Sequence, residues 1–291
     1  MKLTKILSTM TAALLSLTML ASCGESTGAD VKGAKTIADL KGAKIAAQAG
    51  TFHEQALKQI DGVKSSTYPE FTDLLIALKS GAIDGYVAEE PTALSVCGSN
   101  DELTYLHFEN NKSGFTATAA DVGIAFGFRK GSELCEKVNA VLETITEEQK
   151  KTLMVQIVAL STGGKVEKFV LESETPAEPV GTLKVGMECA YSPYNWTDTK
   201  GDSIGAVPIA SEGQEGLYAN GYDVQVALYV ANKLGMKLEI YAINWESLIP
   251  AVQSGTIDTI VAGMSPTAER KEEIDFSNTY YESNLVVIIK K

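Results

Sequence analysis

Two stretches of this chain are versions of one another. Residues 71 to 91 read FTDLLIALKSGAIDGYVAEEP, and residues 245 to 265 read WESLIPAVQSGTIDTIVAGMS. They align without a gap: Phe71 falls on Trp245, Leu74 on Leu248, Ala77 on Ala251, Ser80-Gly81 on Ser254-Gly255, and Ile83-Asp84 on Ile257-Asp258. In each copy, apolar residues at helical spacing end at Ser-Gly, where glycine can take a left-handed C-cap. An Ile-Asp-x-x-Val strand follows and releases the chain into a short loop, Ala88-Glu89-Glu90-Pro91 in one copy and Ala262-Gly263-Met264-Ser265 in the other.

Each copy is preceded by a further strand that stops at a polar turn. Upstream of the first, GAKIAAQAGTFHEQALKQI predicts a strand, a turn at Gly50-Thr51 and a helix; upstream of the second stands TLKVGMECAYSPYNW. Alternating strands and helices predict an α/β protein with mostly parallel sheets flanked by helices, whose ligands gather beyond the carboxyl ends of the strands. Two such lobes facing one another make a cleft. A length of 291 residues accommodates both, at ~100 to 150 residues per lobe. Between them, GGKVEKFVLESETPAEPVG (163 to 181) has the glycines, prolines and acidic residues of a linker, preceded by a helical stretch from Ser132 to Leu160.

The net charge of -12 argues against nucleic acid as a partner, because phosphate binding draws on a positive surface. MKLTKILSTMTAALLSLTMLAS at the start has the basic, apolar and small-residue order of an export signal. Its apolar part is too short to span a bilayer comfortably. Leu20-Ala21-Ser22-Cys23 resembles the bacterial lipobox, which implies lipid on the Cys23 sulfur and a polar tether after it. Cys97, Cys135 and Cys189 are widely spaced, with no Cys-x-x-Cys pair and no zinc pattern; buried free thiols are expected, and one disulfide would leave a thiol over. Nothing resembles a nucleophile elbow, a P-loop or a metal cluster, so neither enzyme chemistry nor a cofactor or metal is expected.

The loops carry charge in a suggestive order. Ser265 reads as an N-cap with Pro266 at the first helical position, placing unpaired amides at a helix start, and Arg270 adds a planar fork that fits a carboxylate. Arg270 and the KEE after it also suit an ordinary solvated helix face. Gly50-Thr51 is a second anion-friendly turn. Glu89 and Glu188 are candidates for the opposite charge, since a carboxylate in a closing cleft needs a cation or donors. Tyr191, Tyr194, Trp196 and Trp245 suggest an aromatic wall, or in part simply core. His53, following Thr51, is a candidate for the cleft, although a lone histidine at a helix start is more often solvated or capping than catalytic; His107 reads as structural or exposed.

These stretches resemble a known family, the extracytoplasmic solute-binding proteins of polar amino-acid ABC importers, with the two-lobed type II periplasmic binding protein fold. The resemblance is carried by GMECAYSPYNW, NGYDVQVALYVANKLG, INWESLIPAVQSGTIDTIVAGMSPTAERKEEIDFS, DLKGAKIAAQAGT, GAIDGYVAEEP and VGIAFGFRKGSELCEKVNAVLETI, and covers nearly all of the chain from about residue 36. The order departs from the family, in which the counterpart of 181 to 291 comes first and its last strand, here NLVVIIKK, crosses into the counterpart of 36 to 122. The resemblance therefore implies a circular permutant: signal peptide 1 to 22, lipid-anchored tether 23 to 35, lobe 2 at 36 to 122, a return to lobe 1 at 123 to 160, a linker of the permuted ends at 161 to 180, and lobe 1 at 181 to 291. It also implies that one hinge crossing is lost at the cut. A linker of ~20 residues reaches ~60 Å, enough to close within one molecule, and also permits a domain-swapped dimer in place of the expected monomer.

By the same resemblance, the ligand is a free polar or cationic L-amino acid, of the glutamine, arginine or lysine class. Arg270 with the Thr51 amide and hydroxyl would hold its α-carboxylate; Glu89, the Gly263 carbonyl and Ser265 its α-ammonium. Tyr191 and Trp245 would sandwich the side chain, Glu188 and Gln48 would face its far end, and Gly50, Phe52, Ala262 and Met264 would complete the lining. Hinge closure would then present the closed form to a permease. A surface adhesin and a dehydratase-type enzyme on the same fold are the alternatives.

Overall fold

The structure, a computed structural model, describes residues 31–291; the predicted signal, Cys23 and the first part of the tether lie outside the described residues. After a 3-10 turn at Ile37–Leu40, lobe 2 comprises β1 (Ile45–Gln48), α1 (Phe52–Leu57), β2 (Ser66–Tyr68), α2 (Phe71–Ser80), β3 (Gly85–Glu89), α3 (Glu90–Ser99) and β4 (Leu103–Leu106). The chain crosses through α4 (Ala119–Val122) and β5 (Gly123–Ile124) into lobe 1, where it forms β6 (Gly127–Phe128), α5 (Leu134–Leu142) and α6 (Glu147–Ser161). Lobe 1 continues beyond the linker with β7 (Thr182–Met187), β8 (Ala190–Tyr191), β9 (Asn195–Asp198), β10 (Val207–Pro208), β11 (Tyr218–Asn220), α7 (Tyr222–Lys233), β12 (Lys237–Ala242), α8 (Leu248–Ser254), β13 (Thr259–Ile260), α9 (Ala268–Glu273) and β14 (Asp275–Phe276). The last elements are β15 (Tyr281–Glu282) and β16 (Leu285–Lys290).

The two copies of the repeated unit build the two sheets in the same way. Helices α2 and α8 both stop at a left-handed glycine, Gly81 at φ 80° and Gly255 at φ 79°. The aspartate that follows pins the next strand to its neighbour: Asp84 Oδ2 accepts from the Lys44 amide at 2.8 Å, and Asp258 Oδ2 from the Lys184 amide at 2.8 Å. Strand β3 then runs parallel to β1, as β13 does to β7. Each lobe thus has a five-stranded, mostly parallel sheet flanked by helices, ordered β2-β1-β3-β16-β4 and β12-β7-β13-β6-β14. A smaller antiparallel sheet, β10-β11-β9-β8, carries Tyr191 over the end of lobe 1.

Strand β16 corrects the expectation that residues 181 to 291 form lobe 1 alone. It lies in the lobe 2 sheet, antiparallel to both β3 and β4. Leu285, Val287 and Ile289 pack with Ile45, Ala47 and Val87, whereas Val286 and Ile288 pack with Ala46, Tyr86 and Ala88 on the opposite face. A strand apolar on both faces needs a central position in a covered sheet, and lobe 1 already fills its sheet with β6. The hinge therefore keeps two crossings, and its strands pair: Tyr281 with Ile124 and Glu282 with Gly123.

Three further expectations are adjusted. The tether placed at 23 to 35 gives way to packed chain by Val31, which is buried against lobe 2. The linker is docked rather than free: Phe169 is buried, and the Gln156 side chain bonds the Lys168 carbonyl and the Val170 amide, each at 2.9 Å. The helical stretch from Ser132 to Leu160 divides at Thr146, whose hydroxyl accepts from the Gln149 amide at 3.2 Å in a capping box. Cys97, Cys135 and Cys189 are unpaired thiols, Cys189 buried and the other two half-buried.

If β16 is a central strand of lobe 2, Ile288→Ala should lower unfolding free energy in urea by about 2–5 kcal/mol through the cavity it leaves. A loss below about 0.5 kcal/mol, as at an exposed position, would show that the strand is not inserted.

Candidate ligand-binding site

The strand ends of the two lobes meet around a space of about 320 Å³ that is partly open to solvent, lined by Gln48, Thr51, Phe52, His53, Glu89, Glu188, Tyr191, Trp245, Ala262, Gly263, Ser265 and Arg270. Lobe 2 contributes the turn after β1 and the last residue of β3, and lobe 1 contributes the turn after β7 and the loop after β13. Eleven of the thirteen residues expected at a ligand site line this space.

Arg270 enters from lobe 1. Helix α9 begins later than the Ser265 cap predicts: Thr267 is the N-cap, accepting from the Arg270 amide at 3.4 Å. Freed from the helix, the Ser265 carbonyl accepts from Arg270 Nη1 at 2.9 Å, while Nη2 donates across the cleft to the Gly50 carbonyl at 2.7 Å. The guanidinium also lies 4.9 Å from the centre of the Trp245 ring, a favourable cation–π arrangement. Burial pulls its pKa down to about 10, which leaves it charged at neutral pH. Arg270 and the Gly50-Thr51 turn thus face one another between the lobes. The Thr51 hydroxyl donates to the Gln48 carbonyl at 2.7 Å, and Gly50 holds φ 67°, a left-handed value that suits glycine.

Glu89 provides the opposite charge on the lobe 2 side. One carboxylate oxygen lies 3.0 Å from His53 Nε2, and the other accepts from the Tyr191 hydroxyl of lobe 1. Tyr191 is itself held by Phe71 and Tyr194, with ring centres 4.6 Å and 5.2 Å away. Tyr194 belongs to the core and Trp196 is half-buried in β9, so neither joins the cavity wall.

At the far end, Glu188 Oε1 accepts from Gln48 Nε2 at 2.8 Å. Its Oε2 is buried with no hydrogen-bond partner, and Glu70 lies beside it outside ordinary hydrogen-bond geometry. Burial first, opposed by the Gln48 bond and reinforced by the Glu70 charge, pushes the Glu188 pKa up to about 8. Glu70 is raised too, by burial and by the nearby Asp73 and Glu246. Among the described groups that shift these two carboxyls there is no cation.

Two expected lining residues stand elsewhere. Met264 is fully packed in the core, its apolar side chain turned from the cleft while its carbonyl accepts from the Ala125 amide at 3.0 Å. Gly50 meets Arg270 through its carbonyl but borders a neighbouring surface depression. His107 is exposed and pairs with Glu90 at 3.0 Å.

His53, two residues after Thr51, is 6% exposed and lines the cavity, at the cleft rather than in solvent. Sequence reasoning missed one further residue. Asp223, fully buried at the start of α7, accepts from Tyr280 at 2.5 Å and Asn195 at 2.8 Å, and from the Gly263 amide. Asn195 in turn accepts from the Cys189 amide at 2.8 Å. One carboxylate therefore ties together the Glu188 turn, the Gly263 loop and the approach to the hinge. Burial pushes its pKa up to about 6. The signal was an aspartate set between Tyr222 and Val224 at a helix start, YDVQV.

Known proteins bear on this site in one half of the chain. Residues 183–291 match the family of bacterial extracellular solute-binding proteins, family 3, which bears out the family resemblance of those residues. The chain is 40% identical over 109 residues to the arginine-binding extracellular protein ArtP of Bacillus subtilis, covering 38% of this chain and 36% of that protein. It is 32% identical over 111 residues to the L-cystine-binding protein TcyA of Bacillus subtilis, covering 38% and 35%. Among solved structures, an ancestral arginine-binding protein bound to arginine is 36% identical over 36% of this chain and 39% of that one, with a TM-score of 0.28. The chain thus spans just over a third of the length of the curated relatives it matches. No helix among the described residues is long and apolar enough to cross a membrane.

The raised pKa of Glu188 has a definite sign. Because the folded protein holds this proton more tightly than the unfolded chain, the stabilisation is complete below the ordinary carboxylate range and is lost as pH rises towards about 8. Glu188→Gln, which cannot ionise, should therefore melt higher than the parent protein at pH 8 and lose that advantage at pH 4. Parallel melting curves across this range would show that Glu188 ionises freely.

Proposed function

We propose that the chain binds a free L-amino acid between its lobes, delivers it to an ABC importer by hinge closure, and prefers a cationic side chain. One observation carries the reading: a buried guanidinium from one lobe and a buried carboxylate from the other border the same small cavity. An amino acid's carboxylate would take the place of the Gly50 carbonyl at Arg270, with the Thr51 amide beside it. Its ammonium would take the place of the Tyr191 hydroxyl at Glu89, near Gly263 and Ser265. Trp245 and Tyr191 flank the aliphatic part. Glu188, with Gln48 beside it and Glu70 behind, supports a cationic far end, since a ligand cation would satisfy the buried Oε2 and favour the ionised carboxyl.

The same polar groups explain closure. They bond one another across the cleft, as in Gln48 to Glu188, Tyr191 to Glu89 and Arg270 to Gly50. An amino acid would replace these by charge-assisted bonds to both lobes and favour the closed form that a permease would read. The reading takes the chain as a binding protein rather than an enzyme. Export and lipid attachment at Cys23, on the outer face of the membrane, belong to it on the strength of the sequence alone.

The segment order is read as a circular permutation of the family pattern. The family match begins at residue 183, after lobe 2. Val31, Lys32 and Lys290 border the same surface depression, so the residues that the family joins are neighbours.

A thermal-shift screen of the twenty amino acids should single out arginine or lysine, with ~2.7 kcal/mol of added stability at a hundred times the dissociation constant. Arg270→Ala should weaken binding at least about 100-fold, the usual consequence of removing one partner of a buried charged contact. No stabilisation by any amino acid, or an unaffected Arg270→Ala, would refute the reading and favour an adhesin. Joining residue 291 to residue 31 through a short loop and opening the linker should leave affinity within about threefold, because both hinge crossings are already present. A tenfold gain would show instead that the present order loosens the hinge.

A further inference from the structure

Outside the ligand cavity, three serine hydroxyls from distant parts of the chain meet between the lobes. Ser95 lies midway along α3 of lobe 2 and is 3% exposed. Its Oγ is 2.8 Å from the Oγ of Ser192, the residue after β8, and 2.9 Å from that of Ser161, the last residue of α6. Both partners belong to lobe 1. Further along α3, Gly98 faces Thr162, and a Cβ there would come 2.6 Å from Thr162 Cγ2, so the helix needs a glycine to lie this close.

The hydrogens fix the direction of these bonds. A serine hydroxyl has one hydrogen to give and two lone pairs with which to accept. Ser161 Oγ donates to the Val158 carbonyl at 2.9 Å, which leaves it only acceptor capacity towards Ser95. Ser95 therefore donates to Ser161, and Ser192 donates to Ser95. The relay runs from the turn after β8, through one buried hydroxyl of lobe 2, to the end of the helix that leads into the linker. Removing the Ser95 hydroxyl breaks both links between the lobes, whereas removing that of Ser192 breaks one.

This relay sits on the cleft side of the hinge. Ser192 follows Tyr191, whose hydroxyl bonds Glu89, and Glu89 is the cap residue from which α3 runs on to Ser95. The same two segments are thus joined twice, once inside the cavity and once behind its wall. Lobes that part at one of these points part at the other.

Resting on the amino-acid reading above, we propose that Ser95 is a positioning residue for ligand binding, whose hydroxyl clasps lobe 1 when the lobes close and so retains the ligand without touching it. A bond made on closing lowers the dissociation constant of every ligand by the same factor, through the closed fraction. The clasp sets affinity and leaves specificity to the cavity.

The test titrates L-arginine and L-lysine into the parent protein, Ser95→Ala, Ser192→Ala and the double variant by calorimetry, and follows association and dissociation by tryptophan fluorescence. Loss of two neutral hydrogen bonds should make Ser95→Ala bind both amino acids about fivefold more weakly. Their ratio should be unchanged, and the loss should appear in the dissociation rate. A residue that serves folding alone would lower the unfolding midpoint in urea and leave the dissociation rate as it was. Ser192→Ala should weaken binding about twofold, and should add nothing once residue 95 is alanine. Unchanged affinity, a changed arginine-to-lysine ratio, additive losses in the double variant, or tighter binding by Ser95→Ala would each overturn the assignment. If the parent protein binds neither amino acid, the underlying reading fails, and small-angle scattering of the ligand-free proteins decides the clasp: a larger radius of gyration for Ser95→Ala supports it, and equal radii overturn it. If the parent binds normally and only these comparisons fail, the amino-acid reading stands alone.

Discussion

The structure turns on a positive charge buried between two lobes. A guanidinium out of water needs acceptors around it, and Arg270 finds one in each lobe, the Ser265 carbonyl on its own side and the Gly50 carbonyl opposite. The face of Trp245 covers it. Glu89 mirrors this arrangement, with His53 from its own lobe and Tyr191 from the other. Separating the lobes would remove a partner from each buried charge.

The repeated unit explains why these charges meet. Each copy ends its helix at a left-handed glycine, fixes the following strand through an aspartate, and releases the chain at the same edge of its sheet. Glu89 closes the strand in one copy, and Gly263 holds the equivalent place in the other. The duplicated fold thus brings two non-identical loops together, one acidic and one that exposes backbone and leads to Arg270. Exchange of antiparallel strands, β16 into lobe 2 and β6 into lobe 1, then fastens the lobes through the paired hinge segments.

Much of the cleft was legible because its residues occupy special local positions. Glycine turns, strand ends and helix starts are marked in sequence, and Thr51, Glu89, Glu188, Gly263 and Arg270 all stand at such points. The unmarked features depend on contacts between distant residues. His53 looks like any histidine at a helix start until Glu89, 36 positions away in the sequence, reaches it. Asp223 resembles a surface residue on an amphipathic helix until Tyr280, Asn195 and Gly263 converge on it. The helix expected from Ser265 begins only after Thr267, because the Ser265 carbonyl serves the guanidinium instead.

By itself, the sequence determined that there are two similar α/β lobes and that their loops carry opposite charges. These follow from local rules: the period of apolar residues, the backbone freedom of glycine, and the chemistry of side chains next to turns. Tertiary structure decided which sheet receives Leu285–Lys290, which partner each buried charge obtains, and which carboxyl holds its proton to higher pH. Those outcomes depend on burial and on donors and acceptors brought from far along the chain, and no local pattern records them.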